Sequence, residues 1–275
     1  MTRLAPSSSR VFSIDRFADA FKSTIGWMLK GEHGDKIEED IKSFMENRKE
    51  LESNPDSPKA LKLLVVAIVT QAWYYGKPSD LDRRMGEFIG KFGANFRTWR
   101  ARKELVSLAV GLAPPRIRGR VRRSLEELFK YSSIKQFTEE LYNLAIQGRT
   151  KVLGEKGRDD YLRSCGYWDR VPMDRHEMRF IIRTGIYHVC SIKGRNNPLQ
   201  KASLQNALTR FCSDYLKSYR VFGIDLGNAP GIVDTFIWSF CSRRRYGICG
   251  SVPRCGECPL KETCLYAIVN TPIHE

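Results

Sequence analysis

The sequence predicts an all-α protein organised as two lobes. Apolar residues recur at helical spacing along most of the chain, whereas the alternating pattern of a β-strand is scarce. Two helix-start signals are clear: Ser57 precedes Pro58, and Asp174 stands three residues before Glu177, as in a capping box. A chain of 275 residues also has the length for two lobes of about 100 to 200 residues each.

The predicted helices follow one another with short connections. They cover residues 14–52, 59–75, 80–91, 98–112, 118–131, 134–144, a segment from 174, 199–219 and 234–243. Asp234 is interpreted as the cap that opens the last of these helices. The centre of the second, LLVVAIV, is apolar on all sides and predicts a buried core helix.

Positive charge is abundant and concentrated. Lys and Arg number 46 against 31 Asp and Glu, which gives a net charge of +15. Five arginines lie between Arg116 and Arg123, and three more, Arg243, Arg244 and Arg245, precede a group of cysteines. Such clusters commonly contact a phosphate backbone, so nucleic acid is the expected partner. A basic surface without a ligand is the alternative, because overall charge does not locate the cations.

Neither a membrane span nor a secretory signal is expected. The longest apolar run, from Leu63 to Val69, is far shorter than the roughly 18 residues of a spanning helix. The first ten residues, MTRLAPSSSR, lack an apolar stretch after their basic residues. These features favour a location inside the cell, in the cytoplasm (with the nucleoid) or the nucleus, with no membrane partner. A monomer is expected.

Four of the eight cysteines form a compact group near the C-terminus. Cys249, Cys255, Cys258 and Cys264 are spaced C-x5-C-x2-C-x5-C, with glycine and proline between them. Tight turns of this kind bring thiolates together, and a [4Fe-4S] cluster requires four of them. Zinc is the alternative, although structural zinc sites usually pair two C-x2-C units or one such unit with two His.

The remaining cysteines are expected to be core residues. They are isolated in apolar, mostly helical settings and comprise Cys165, Cys190, Cys212 and Cys241. Disulfides are disfavoured for the four clustered cysteines, because thiols stay reduced inside the cell and cysteines this close would form strained small rings.

Two segments resemble the endonuclease III group of helix-hairpin-helix DNA glycosylases. Residues 233–264, VDTFIWSFCSRRRYGICGSVPRCGECPLKETC, are similar to the cysteine-rich end of that family, although five residues rather than six separate the first two cysteines. Residues 171–185, VPMDRHEMRFIIRTG, are similar to the stretch that places the family's essential Asp at the start of a helix. Asp174 occupies the matching position.

The resemblance implies a two-lobed glycosylase fold with a C-terminal cluster loop. On this basis residues 60–165 would form a six-helix lobe ending in a helix-hairpin-helix element. Residues 166–275 would form the second lobe, on which residues 1–59 would pack. The family's hairpin pattern, L-P-G-V-G followed by a basic residue and a catalytic Lys, is altered here. Residues 144–151 retain Leu, the second Gly as Gly148, and Arg149, with Lys151 following; residues 153–158 offer Lys156 instead.

The implied activity is the removal of a damaged or mismatched base from double-stranded DNA. Asp174 would stabilise the positive charge that develops on the sugar. Its alternative role is that of a plain helix N-cap. Lys151 or Lys156 would act as a nucleophile if the enzyme also cleaved the strand as a lyase, and either could instead be an ordinary solvated lysine.

Several residues are candidates for contact with DNA. Gln71 would fill the gap left by a flipped base and Trp168 would line the base pocket, while core packing is the alternative for each. Gly148 and Arg149 would present the hairpin to a phosphate, and Arg244 and Arg254 would meet the backbone beside the cluster. Two rival functions stay open: an iron-sulfur DNA-binding protein without catalysis, and a zinc-bearing nucleic-acid module.

Overall fold

The computed structural model describes residues 11–70, 78–191 and 200–270. Over these ranges the chain forms thirteen α-helices and one antiparallel pair of two-residue strands. The predicted all-α class is confirmed. Within the same ranges, no helix combines the length and the apolar character that a membrane span requires.

The chain divides into two compact units. The first comprises Met1–Glu39 and Met173–Glu275 and the second comprises Asp40–Pro172, so far as these ranges are described. The first boundary, between Glu39 and Asp40, lies inside helix α2 (Gly34–Ser53). It is about twenty residues before the boundary expected at residue 59. Leu51 near the end of α2 belongs to the core of the second unit.

The second unit is assembled around helix α3 (Pro58–Thr70), which packs against four of the helices that follow it. Ser57 caps α3, and its hydroxyl accepts a hydrogen bond from the amide of Ala60 at 3.1 Å, as predicted. Leu64, Val65 and Ile68 are completely buried. The other helices are α4 (Pro78–Phe92), α5 (Trp99–Leu112), α6 (Arg118–Leu128), α7 (Ile134–Ile146) and α8 (Glu155–Ser164).

The first unit has a core of phenylalanine rings. Its helices are α1 (Ile14–Lys30), α9 (Arg175–Arg183), α10 (Ile186–Cys190), α11 (Lys201–Tyr215), α12 (Pro230–Cys241) and α13 (Leu265–Asn270). Strands β1 (Arg220–Val221) and β2 (Ile224–Asp225) connect α11 to α12. Phe180 of α9 lies 5.6 Å from the ring of Phe21 and 6.0 Å from that of Phe240, in tilted and edge-on arrangements. These rings fix α9 between α1 and α12.

The expected start of α12 is wrong. The helix begins four residues before Asp234, with Pro230 in its first turn, where a missing N–H costs no helical hydrogen bond. Asp234 therefore lies inside the helix, and it is 1% exposed. It is a buried carboxyl facing the core and not a terminal cap.

Candidate cysteine centre and catalytic helix

The four clustered cysteines lie in a loop that follows α12 directly. Backbone hydrogen bonds shape the loop: the amide of Ile248 donates to Phe240 at 2.8 Å, and that of Cys264 donates to Leu260 at 2.8 Å. Burial raises the pKa of Cys258 to about 12, and Cys264, Cys249 and Cys255 raise it further as negatively charged neighbours. All three therefore lie within electrostatic reach of Cys258.

Cys249 is prepared to be a thiolate. A hydrogen bond from the Cys241 thiol, followed by one from Arg183, lowers the pKa of Cys249 to about 6 although burial opposes this change. Nη1 of Arg183 lies 3.8 Å from the sulfur. A thiolate is the form that ligates metal, so this environment favours ligation at neutral pH. Cys241, expected to be a core residue, is buried as predicted but also assists Cys249.

The donor set fits an iron-sulfur cluster in its chemistry. Four thiols from one loop lie within mutual electrostatic reach. The surroundings of Cys249 favour its thiolate, whereas burial raises the pKa of the other three. In the part of the chain that the structure describes, no three His, Cys, Asp or Glu side chains are arranged to hold a single metal ion. Cys249, Cys255, Cys258 and Cys264 are the residues that would hold a cluster.

Arg183 joins the end of α9 to the cysteine loop. Its guanidinium donates to the carbonyls of Gly250 at 2.6 Å and Ser251 at 3.0 Å. Its own carbonyl accepts a hydrogen bond from the Cys264 thiol at 3.5 Å. The Tyr266 ring lies 5.4 Å from the guanidinium carbon. Through its side chain and its own carbonyl, Arg183 thus connects both ends of the loop to α9.

Asp174 begins the same helix. Its carboxylate accepts a hydrogen bond from the amide of His176 at 2.5 Å, and its own amide donates to Glu177 Oε2 at 2.9 Å. The predicted capping box is therefore present. Asp174 remains partly exposed. The side chain can thus stabilise α9 and still face a ligand.

Two further carboxyls lie behind Asp174, and both are buried. Glu177 and Asp234 are each 1% exposed, and α9 packs against α12 at this level. Burial raises the pKa of Glu177 well above its ordinary value, and the negative charges of Asp234 and Asp174 raise it further. Glu177 therefore tends to keep its proton, which limits the repulsion that the Asp174 carboxylate experiences.

In the second unit, helices α7 and α8 form a hairpin. Gly148, with φ of +67°, ends α7 in the left-handed conformation that glycine favours. The amides of Gly148 and Arg149 donate to Ala145 and Leu144 at 3.1 and 2.8 Å. These two amides therefore complete the end of α7, and the phosphate contact predicted for Gly148 and Arg149 stays a prediction.

The opposite side of the hairpin is better suited to bind an anion. Helix α8 follows Gly154, which occupies its N-cap position. The first-turn amides of a helix have no partners within the helix, and they attract negative charge. Arg158 fixes the connecting loop, since Nη1 donates to the carbonyl of Arg149 at 2.6 Å and Nε pairs with the buried Asp159 at 2.9 Å.

A basic pocket adjoins this side of the hairpin. It encloses about 390 Å³ and is lined by loop residues 150–154 and by Arg120, Arg123, Ser124 and Glu127 of α6. The Ser124 hydroxyl donates to the carbonyl of Val152 at 3.0 Å, which fixes the loop to α6. The pocket combines arginine side chains with the start of α8 and can therefore accept a phosphate.

The two candidate lysines have different surroundings. Nζ of Lys151 forms an ion pair with Glu127 at 2.6 Å. This hydrogen bond raises the pKa of Lys151, so the amine stays protonated, whereas a nucleophile must be neutral. Lys156 lies in the first turn of α8 with an exposed side chain. Lys151 therefore lines the basic pocket but is paired with Glu127, whereas Lys156 lies outside the pocket lining, at the start of α8.

The other predicted contact residues differ in accessibility. Trp168 is half-buried, and the guanidinium carbon of Arg48 lies 5.5 Å from the centre of its ring. Arg244 and Arg254 are both exposed. Arg254 also supports the cysteine loop through hydrogen bonds to Glu257 and to the carbonyl of Tyr246. Gln71 lies outside the described residues.

Sequence reasoning missed helix α8 and the role of Arg183. The face of α8 that points inward includes Arg158 and Asp159, each 4% exposed, so its sequence is as polar as that of a surface segment. The four-residue spacing of Arg175, Arg179 and Arg183 was visible as one face of α9. No local signal places that face against a loop 67 residues away.

Replacing Glu177 with Gln should reduce the loss of stability as pH rises. The folded protein holds this proton to higher pH than the unfolded chain does. The wild-type free energy of unfolding should therefore fall above pH ~4.3, by at most about 1.4 kcal/mol per pH unit. Gln cannot ionise but keeps an oxygen for the Asp174 amide. Urea unfolding at several pH values around neutrality measures how steeply the free energy of unfolding changes with pH in the wild type and in Glu177→Gln. The exposed Glu139→Gln serves as the control. Equal slopes in wild type and Glu177→Gln would contradict this expectation.

Comparisons with known proteins identify no relative of this chain. No family model, no curated protein and no solved structure matches it. The function proposed below is supported by the contacts described above and by the resemblance of two sequence segments.

Proposed function

We propose that this protein is an iron-sulfur DNA glycosylase that removes a damaged or mismatched base from duplex DNA. One observation carries the proposal. Helix α9 begins at the partly exposed carboxylate of Asp174 and ends at Arg183, which contacts the loop of the four clustered cysteines. The nine residues of α9 thus connect a candidate catalytic group to a candidate DNA-binding loop.

The chemistry assigned to Asp174 is electrostatic. Breaking an N-glycosidic bond leaves positive charge on the sugar, and a fixed carboxylate stabilises that charge more in the transition state than in the bound substrate. The hydrogen bond from His176 and the packing of Phe180 hold the start of α9 in place. Proton retention by Glu177 keeps a second full negative charge away from Asp174.

The hairpin in the second unit is proposed to bind the DNA backbone. Its basic pocket, with Arg120 and Arg123 beside the start of α8, suits a phosphate. Lys156 is proposed as the amine that attacks the sugar if base removal is coupled to strand cleavage, since Lys151 is paired with Glu127. The neutral amine would attack the sugar carbon that carries the base and form a carbon–nitrogen bond to it. The bond between that carbon and the base would break, and the base would leave with the electron pair of that bond.

The cluster is proposed to have a structural role. When bound, it would supply four covalent links that fold residues 249–264 into one compact loop. Arg243, Arg244 and Lys261, all exposed, lie on the chain beside this loop and would contact phosphates. Arg183 would orient the loop relative to α9.

Replacing Asp174 with Asn should reduce base release by about a hundredfold or more while duplex binding is retained. Asn is also a good N-cap, so the free energy of unfolding should change by less than about 1 kcal/mol. Gel assays on duplexes carrying uracil, oxidised bases or mismatches measure release. Failure of the wild type to release any base, with tight binding, would contradict the enzyme and favour the rival DNA-binding protein.

Borohydride trapping should separate the two lysines. A covalent protein–DNA adduct formed by the wild type should disappear in Lys156→Ala and persist in Lys151→Ala, because the Lys151 amine is held in an ion pair with Glu127. An adduct lost only in Lys151→Ala would overturn the assignment. Base release without any adduct would indicate attack by water.

Anaerobic purification should yield a brown protein with about four iron atoms per chain. Changing any clustered cysteine to Ser should lower the iron content and the visible absorption, whereas Cys212→Ser should leave both unchanged, because Cys212 lies in the core, apart from the loop. Stoichiometric zinc in place of iron would support the zinc alternative instead.

A further inference from the structure

The arginines of α6 divide between two faces. Arg120 and Arg123 line the hairpin pocket, whereas Arg118 and Arg122 line a different cleft, between α6 and α5. Residues four apart share a helix face, and residues two apart point to nearly opposite sides. The arginine-rich segment is therefore not one patch, and the hairpin accounts for only part of it.

The cleft between α5 and α6 is strongly cationic. It encloses about 690 Å³, which lies within the usual range for ligand sites of about 300 to 1,000 Å³. The residues that line the cleft include four cationic side chains and one carboxylate, that of Glu126. The four cations are Arg102, Lys103, Arg118 and Arg122. This imbalance favours an anionic ligand.

Aromatic surface accompanies the charge. Trp99 borders the cleft and is 78% exposed, with Nζ of Lys103 lying 5.4 Å from the centre of its ring. The Arg102 guanidinium lies over Phe129 at 4.9 Å, and its buried Nε has no hydrogen-bond partner among the described residues. An exposed indole beside cations offers a stacking surface next to phosphate-binding groups.

We propose that this cleft is a second nucleic-acid site that binds a single strand. A base would stack on Trp99 while Arg118 and Arg122 neutralise the adjoining phosphates. Stacking requires a base with an open face, which a single strand offers and an intact duplex hides. An acidic peptide would satisfy the cations but would make no use of the indole. The proposal does not depend on glycosylase activity.

The test is the binding of a labelled oligothymidylate of about eight nucleotides, measured by fluorescence anisotropy. Trp99→Ala should weaken binding about tenfold, whereas Trp99→Phe should retain most of the affinity but lose part of the quenching of intrinsic fluorescence. Arg122→Glu should also weaken binding about tenfold. The matched control is Arg16→Glu, which makes the same charge change at an exposed arginine of α1 that lines neither cleft and should have a clearly smaller effect.

Three outcomes would overturn the proposal. The first is equal weakening by Arg122→Glu and Arg16→Glu, which would indicate only general charge attraction. The second is unchanged affinity in Trp99→Ala when its thermal midpoint matches the wild type. The third is displacement of the oligonucleotide by poly-glutamate at equal charge concentration, with Trp99→Ala affecting neither ligand, which would identify an acidic-peptide site.

Discussion

The loop of the four clustered cysteines depends on the contacts of Arg183. The four clustered cysteines lie in a loop with little regular structure, and a loop of this kind needs an anchor outside itself. Arg183 provides one through two backbone carbonyls, the Cys249 sulfur and the ring of Tyr266. Its charge also favours the thiolate form of Cys249. Lysine could not replace it, because a single ammonium lacks the planar set of donors that reaches both carbonyls.

The position of Asp174 follows from the same helix. A helix of nine residues is too short to be stable by itself, so α9 relies on its ends and on its packing. The capping box stabilises the first turn of α9. In the middle of the helix, the side chain of Phe180 is buried in the core, and Arg183 attaches the last turn to the cysteine loop. The Asp174 carboxylate is therefore held at the start of a helix that is fixed at three points. The proposed electrostatic role of Asp174 calls for a carboxylate held in this way.

Buried charge explains why the sequence predicts some of these features and not others. The caps at Ser57 and Asp174 depend on residues three positions away, and both are confirmed because the signal is local. Helix α8 escapes prediction because Arg158 and Asp159 occupy core positions, where their polarity is neutralised by their own pairing. The cysteine spacing is local and readable, whereas the partner that anchors the loop comes from another helix.

Gly148 has a structural role at the end of α7 that differs from the one implied by the family pattern. Gly148 matches a glycine of the family pattern, and the structure uses it to end α7, with its amide bonded inside the helix. The first-turn amides without partners inside a helix belong to the start of α8, after Gly154, so the phosphate contact proposed for the hairpin is assigned several residues further along the chain. The two candidate lysines lie on either side of this point in the chain. Lys151 lines the pocket and is paired with Glu127 of α6, and Lys156 lies in the first turn of α8, where the proposed function places the nucleophile.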